Sequence, residues 1–121
     1  KPSSVRGRWK ARELKVAKDF GGQRRWLSRG RVKGMGDVEC EGIAIEVKNH
    51  AGVVGPKDFP VEAGKESVIV YQHPRQGVRP VVWLRPDLAV RLGLPMVAVS
   101  YRDFLRTWRQ RGAPPVGGKT P

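Results

Sequence analysis

The stretch Gly36-Asp37-Val38-Glu39-Cys40-Glu41-Gly42-Ile43-Ala44-Ile45-Glu46-Val47-Lys48 constrains this chain more than any other. It reads as two strands joined by a two-residue turn, Glu41-Gly42, in which glycine supplies the positive φ that such a turn requires. The turn sets the register: Cys40 faces Ile43, and Asp37 falls opposite Glu46. Directly opposed residues place their Cβ atoms roughly 4.5–5.5 Å apart on one face of the sheet. Lys48, two residues beyond Glu46, shares that face, while Ile43, Ile45 and Val47 point to the other and enter the core. Two carboxylates and one ammonium therefore converge. Carboxylates that close do not both stay ionised without a cation. A hard divalent ion is the natural occupant: Mg²⁺, with Mn²⁺ as its substitute. Charges on the outer face of an amphipathic hairpin are common in themselves, and what singles out this set is its setting.

Charge narrows the partner. The chain has 121 residues, with 24 Lys and Arg against 11 Asp and Glu, a net charge of +13. That excess is well beyond what solubility requires, and a field of this sign recruits polyanions, nucleic acid first. No apolar run approaches the roughly 20 residues of a membrane span and no signal peptide is visible, so a membrane partner is not expected and a cytoplasmic location is. Cys40 is the only cysteine, so no internal disulfide framework exists, and it reads as a small apolar filler. With one Cys and two His, a zinc site built within one chain is not expected. His50 and His73 read as surface residues, with His50 close enough to the hairpin to contact a phosphate.

Upstream, the spacing of Trp9, Val16, Ala17 and Phe20 predicts an amphipathic helix from about Gly7 to Phe20, ended by Gly21-Gly22. Glu13 falls near the centre of its apolar stripe. A carboxylate there is expensive unless paired or metal-bound. It is either salt-bridged to a buried Arg or Lys, or a third carboxylate leaning over the hairpin site, and the hairpin's need for such a neighbour favours the second. A first strand over Gln23–Ser28 leads into a Gly-rich basic loop that ends at Asp37. Its glycines let backbone approach a ligand closely, and Arg29, Arg31 and Lys33 can contact phosphates. The loop lacks the spacing of a nucleotide-binding P-loop and suits a DNA backbone better. Arg8 and Lys10 at the start of the helix join the candidate DNA-binding set.

Beyond the hairpin, residues 51–66 are loop-like, with a short helix at most around Val61–Lys65. Strands are expected at Ser67–Gln72, Val81–Leu84 and Met96–Val99. A short helix is expected over Pro86–Leu92, stopped by Gly93. Ser100-Tyr101-Arg102-Asp103 opens a last helix to about Arg111 with Tyr101, Phe104, Leu105 and Trp108 on its apolar face. Arg102, Arg106 and Arg109 lie toward its outside, as a solvated face or as DNA contacts. The whole reads as one α/β (α+β) domain over residues 1–121, its core about 7–111, with a flexible basic N-terminus and a mobile Pro/Gly-rich C-terminal tail.

A helix bearing Glu13, a loop, Gly36-Asp37, then Glu46-Val47-Lys48, then strands and a helix together resemble the PD-(D/E)xK nuclease fold, a restriction-endonuclease-like mixed central sheet flanked by helices. The small size and the order of elements resemble the archaeal-type Holliday junction resolvases and their phage relatives. Glu62-Ala63-Gly64-Lys65-Glu66 followed by Val68-Ile69-Val70, and the Ser100–Phe104 stretch, are similar to the phage branch. The resemblance spans roughly residues 7–108. It implies that Asp37 and Glu46 ligate the metal with the Val47 carbonyl, that Glu13 touches the metal directly or through water, and that Lys48 orients or activates the attacking water. Ser28 would match a serine near the scissile phosphate. The sequence departs from the family where residues 51–63, broken by Pro60, stand in place of a longer helix.

Together these features lead to the expectation of a Mg²⁺-dependent endodeoxyribonuclease. It would act as a homodimer that resolves four-way (Holliday) junctions by paired nicks, in DNA recombination and repair. A single site per small chain, set against a two-fold symmetric substrate, calls for an isologous dimer. The alternatives are another nuclease of the same fold (nicking, repair or restriction-type) and a non-catalytic DNA-binding module. No base-reading code is visible, so recognition of backbone and shape is expected.

Overall fold

The computed structural model describes residues 5–24, 36–48, 54–75, 77–95 and 97–111, and side chains are described from Lys10 onward, excluding Arg24 and Arg111. The basic loop with Ser28, Arg29, Arg31 and Lys33 lies outside the described residues, as do His50, the side chain of Arg8 and both tails. Six strands form one mixed sheet in sequential order: β1 (Gln23–Arg24), β2 (Val38–Cys40), β3 (Ile43–Lys48), β4 (Glu66–Tyr71), β5 (Val81–Leu84) and β6 (Ala98–Ser100). Helices α1 (Val5–Phe20), α2 (Pro86–Leu92) and α3 (Tyr101–Arg111) complete an α+β architecture. Every neighbouring pair of strands is antiparallel except β3–β4, which is parallel.

Period-2 alternation sorts the strands into two faces. Val38, Cys40, Ile43, Ile45, Val68, Val70, Val82 and Leu84 form one core with Val16 and Ala17 of α1, Leu88, Ala89 and Leu92 of α2, and Tyr101, Phe104 and Trp108 of α3. All three helices therefore bear on the same side. Cys40 is part of this core, its thiol donating to the Phe20 carbonyl at 3.0 Å. Burial pushes that thiol's pKa up, so it stays neutral and inert, as a filler should.

The opposite face carries Ala44, Glu46, Lys48, Ser67, Ile69 and Tyr71, by the same alternation. Ala44 and Ile69 are fully buried there, so something must cover them. A parallel pair needs a crossover, and the described part of the β3–β4 crossover lies on this side. The Ser67 hydroxyl donates to the Pro60 carbonyl at 2.6 Å, and Arg85 stacks over Phe59 at 4.9 Å. Its regular element is a 3₁₀ turn at Pro56–Asp58, with no helix at Val61–Lys65. Pro60 and Gly64 explain why no helix forms over the described residues 59–65.

Helix boundaries follow local chemistry. Gly93 closes α2 in the left-handed region at φ 72°, and the Ser100 hydroxyl caps α3 by accepting from the Asp103 N–H at 3.1 Å. Strand β6 spans Ala98–Ser100, and Met96 of the expected Met96–Val99 strand lies outside the described residues. Among the described residues no helix is long and apolar enough to cross a membrane.

A polar latch joins α1 to α3. The Tyr101 hydroxyl donates to Asp19 at 2.7 Å, Lys15 pairs with the same carboxylate at 3.1 Å, and Arg109 donates to the Asp19 carbonyl. Burial alone would raise the Asp19 pKa. The bonds from Tyr101 and Lys15, with the charges of Lys15 and Arg109, outweigh it and hold Asp19 below its ordinary 3.8. Around the latch, Phe20 meets Tyr101 edge-on at 6.1 Å and Phe104 at 6.0 Å. Because Asp19 titrates lower when folded, its contribution is fully present above pH 3.8 and fades as pH falls through the folded-state value. Tyr101→Phe should therefore lose about 1.5 kcal/mol at neutral pH. The gap between variant and parent should close in acid, as read from urea unfolding across a pH series. A gap independent of pH would mean that the hydroxyl contributes only packing.

Candidate functional site

The β2–β3 hairpin has the register that its turn dictates, with Cys40↔Ile43, Glu39↔Ala44 and Val38↔Ile45, and Gly42 at φ 79°. Beyond Val38 it departs from the plain continuation. The Asp37 N–H donates to the Ile45 carbonyl at 2.8 Å, so Asp37 and Val38 together oppose Ile45, the two-against-one arrangement of a β-bulge. Asp37 is thus not set squarely opposite Glu46. Its carboxylate instead turns into the ladder, where Oδ2 accepts the Val47 N–H at 2.8 Å. A side chain takes the place of a backbone carbonyl, and Asp37 is only 5% exposed. The N–H and C=O of a strand residue leave the same edge, so the Val47 carbonyl points toward the edge that the Asp37 carboxylate occupies.

Gly36 makes this geometry accessible. A Cβ there would sit 2.5 Å from the Ile45 carbonyl oxygen and 2.9 Å from its nitrogen, so only glycine fits. The Gly36 N–H donates to Glu62 Oε2 at 2.9 Å, and Glu62 is itself paired with Lys65 at 3.2 Å. The Gly36-Asp37 junction is therefore held from β3 on one side and from the crossover on the other.

Lys48 and Glu46 share a face as expected. Lys48 Nζ lies 3.5 Å from Glu46 Oε2 and 3.9 Å from Asp58 Oδ1. Asp58 is fixed in turn, its Oδ2 accepting the Gly55 N–H at 2.8 Å. The ammonium is thus steered between two carboxylates, one on its own strand and one on the crossover. Asp58 and Glu62 are the residues that sequence reasoning missed. Asp58 left a faint signal, since Gly55-Pro56-Lys57-Asp58 spaces a capping carboxylate three residues after its N–H partner. Glu62 left none, because its partner is a backbone N–H 26 positions away.

Glu13 lies on α1 and is 5% exposed, buried as its place in the stripe implies. Helix α1 packs on β1 and β2. Among the described residues no group of three or more His, Cys, Asp or Glu is placed to hold a metal ion, so Glu13 does not complete a three-carboxylate cluster with Asp37 and Glu46. Two carboxylates and a backbone carbonyl still form an all-oxygen donor set. Mg²⁺ characteristically binds one or two carboxylates and keeps several waters. The Val47 bond uses one of roughly four lone-pair positions on Asp37. The residues fit a water-rich Mg²⁺ site of two carboxylates, not an all-protein cage. Lys10 is exposed on α1.

Two substitutions separate Asp37's structural work from any chemistry. Asp37→Ala orphans the Val47 N–H and should cost about 1–3 kcal/mol. Asp37→Asn keeps an acceptor oxygen and should stay within about 1 kcal/mol of the parent. Gly36→Ala should lose about 1–3 kcal/mol by overpacking. Denaturant titration checks all three, and an unperturbed Gly36→Ala would contradict the close approach to Ile45.

In comparisons with known proteins, no family model matches the chain, and no match was found among curated proteins or solved structures.

Proposed function

We propose that this chain is a metal-dependent, structure-selective DNA endonuclease that resolves four-way junctions by paired nicks, with the fold of the PD-(D/E)xK nucleases. The observation that carries the proposal is the placement of Asp37, Glu46 and Lys48 together at one end of a hairpin in a protein of net charge +13. A structural ion pair needs no buried aspartate locked beside it. A phosphodiesterase needs rigid oxygen donors and a cation close to them.

Asp37 and Glu46, with the Val47 carbonyl, are the residues that would hold Mg²⁺, which when bound supplies Lewis acidity toward the phosphoryl oxygens. The Val47 N–H pins the Asp37 carboxylate, so little reorganisation remains to be done on binding. Lys48 offers a compact positive charge to the attacking water and to the charge that builds on the phosphorus oxygens. That charge has two carboxylate neighbours, Glu46 at 3.5 Å and Asp58 at 3.9 Å. Sequence selectivity is not expected, because the functional side chains are suited to backbone contact.

One observation favours a second reading, a DNA-binding module without hydrolysis: among the described residues, Glu13 does not join the two hairpin carboxylates as a third acidic ligand. Cleavage assays decide between the two. Asp37→Asn and Glu46→Gln should each abolish Mg²⁺-dependent cutting of a four-way junction while junction binding in Ca²⁺ survives. Lys48→Ala should slow single-turnover cutting by about 10²-fold or more, the scale of a lost transition-state contact. Lys48→Arg should rescue poorly, because a planar fork does not replace an ammonium. Substantial Mg²⁺-dependent cleavage by both carboxylate variants would remove the hairpin from the chemistry. A parent that binds junctions tightly yet cuts none, in Mg²⁺ or Mn²⁺, would establish the binding module. A parent that cuts linear duplex as readily as a junction would point to another nuclease of this fold. Sedimentation should give a dimer of about 27 kDa by the symmetry argument.

A further inference from the structure

At the end of the sheet where β3 finishes, three ladder pairs run in a row. Lys48 lies beside Tyr71, Tyr71 beside Val81, and Val81 beside Ser100. Three inter-strand steps of about 4.8 Å separate Lys48 from Ser100, roughly 14 Å in all. At Ser100 the surface opens into a cleft of about 530 Å³ between α1, the residues entering β5 and the start of α3. Arg12, Lys15, Arg79 and Arg102 line it, together with Ser100 and Tyr101. Asp19 also reaches this cleft, but the Tyr101 hydroxyl and Lys15 already engage its carboxylate. Among the described residues Arg12, Arg79 and Arg102 make no ion pair. Three guanidinium groups from three separate elements thus edge one cleft, none of them ion-paired among the described residues. It sits at the same end of the sheet as Asp37, Glu46 and Lys48.

We propose that this cleft holds the phosphodiester backbone of a DNA strand. Charge complementarity chooses the occupant. Arginines spread around an open cleft suit successive phosphates of a strand better than they suit one small anion, on which they would have to converge. The proposal rests on the DNA-binding part of the reading above and not on its hydrolytic site, since phosphate binding needs only the cations.

The test is fluorescence anisotropy with a labelled four-way junction and a labelled duplex, in metal-free buffer across a salt series. The proteins are the parent, Arg79→Ala, Arg102→Ala, the double variant, and Lys18→Ala, which removes one exposed charge outside the cleft. Arg79 and Arg102 are exposed, so the fold should hold, and thermal unfolding confirms it. The double variant should lose at least about tenfold in affinity at physiological ionic strength. Its plot of log affinity against log salt should flatten by about 2, one per phosphate contact removed. Lys18→Ala should keep the parent's slope. Equal slopes and affinities for the parent and the double variant would overturn the DNA assignment and leave the cleft to an acidic protein partner. Cleavage by the parent in Mg²⁺ is scored separately. A parent that cuts nothing overturns the hydrolytic reading, and the anisotropy still decides the cleft.

Discussion

One hydrogen bond, from the Val47 N–H to the Asp37 carboxylate, ties the fold to its candidate chemistry. In an uninterrupted ladder a backbone carbonyl would satisfy that N–H. Here a charged side chain does so, which lets β2 bend away at a bulge while β3 runs on to Lys48. The strand end that carries Glu46 and Lys48 is thereby stiffened without being covered. A hydrogen bond to an ionised acceptor is roughly twice as strong as a neutral one, so burying this carboxylate is repaid locally. Gly36 and Glu62 belong to the same device: the first allows the chain to approach Ile45, and the second holds it there.

The two faces of the sheet divide the work. The helical face is conventionally apolar and is closed by aromatic contacts running from Phe20 through Phe104 to Trp108. The opposite face is covered by a crossover whose described part has little regular structure, and it is there that charged groups meet. A helix on that side would bury its carboxylates or present them at helical spacing. A 3₁₀ turn followed by extended chain can aim Asp58 at Lys48 and Glu62 at a backbone N–H from positions only four residues apart.

Much of this was legible in the sequence, for reasons specific to each element. The hairpin register followed from a glycine that had to take positive φ and from alternation that placed Ile43 and Ile45 inside. Helix α2 could be read from Pro86 at its start and Gly93 at its end, and α3 from Ser100 and the spacing of Tyr101, Phe104 and Trp108. The burial of Glu13 was visible as an acidic residue in an apolar stripe. The bulge was not legible. It depends on a side chain outcompeting a carbonyl for one N–H, a choice that pattern and propensity do not encode. The roles of Asp58 and Glu62 were hidden for a related reason: both act on partners brought near by the path of the crossover, and no periodicity describes that path. Mg²⁺ and junction cleavage remain inferences from residue chemistry and resemblance.

Sequential strand order has a consequence for how such a molecule comes together. Every strand meets its neighbour along the chain, and the antiparallel hairpin at Glu41-Gly42 closes across two residues. The parallel β3–β4 pair instead has to close the whole crossover first, and loop-closure entropy makes it the dearer contact. Positive charge exists on the chain before any of this happens. The anchoring of Lys48 by Asp58, and of Gly36 by Glu62, exists only once the crossover is seated. An incompletely folded molecule would therefore attract polyanions while lacking a fixed lysine or a clamped Asp37 junction, so attraction precedes the geometry that could use it.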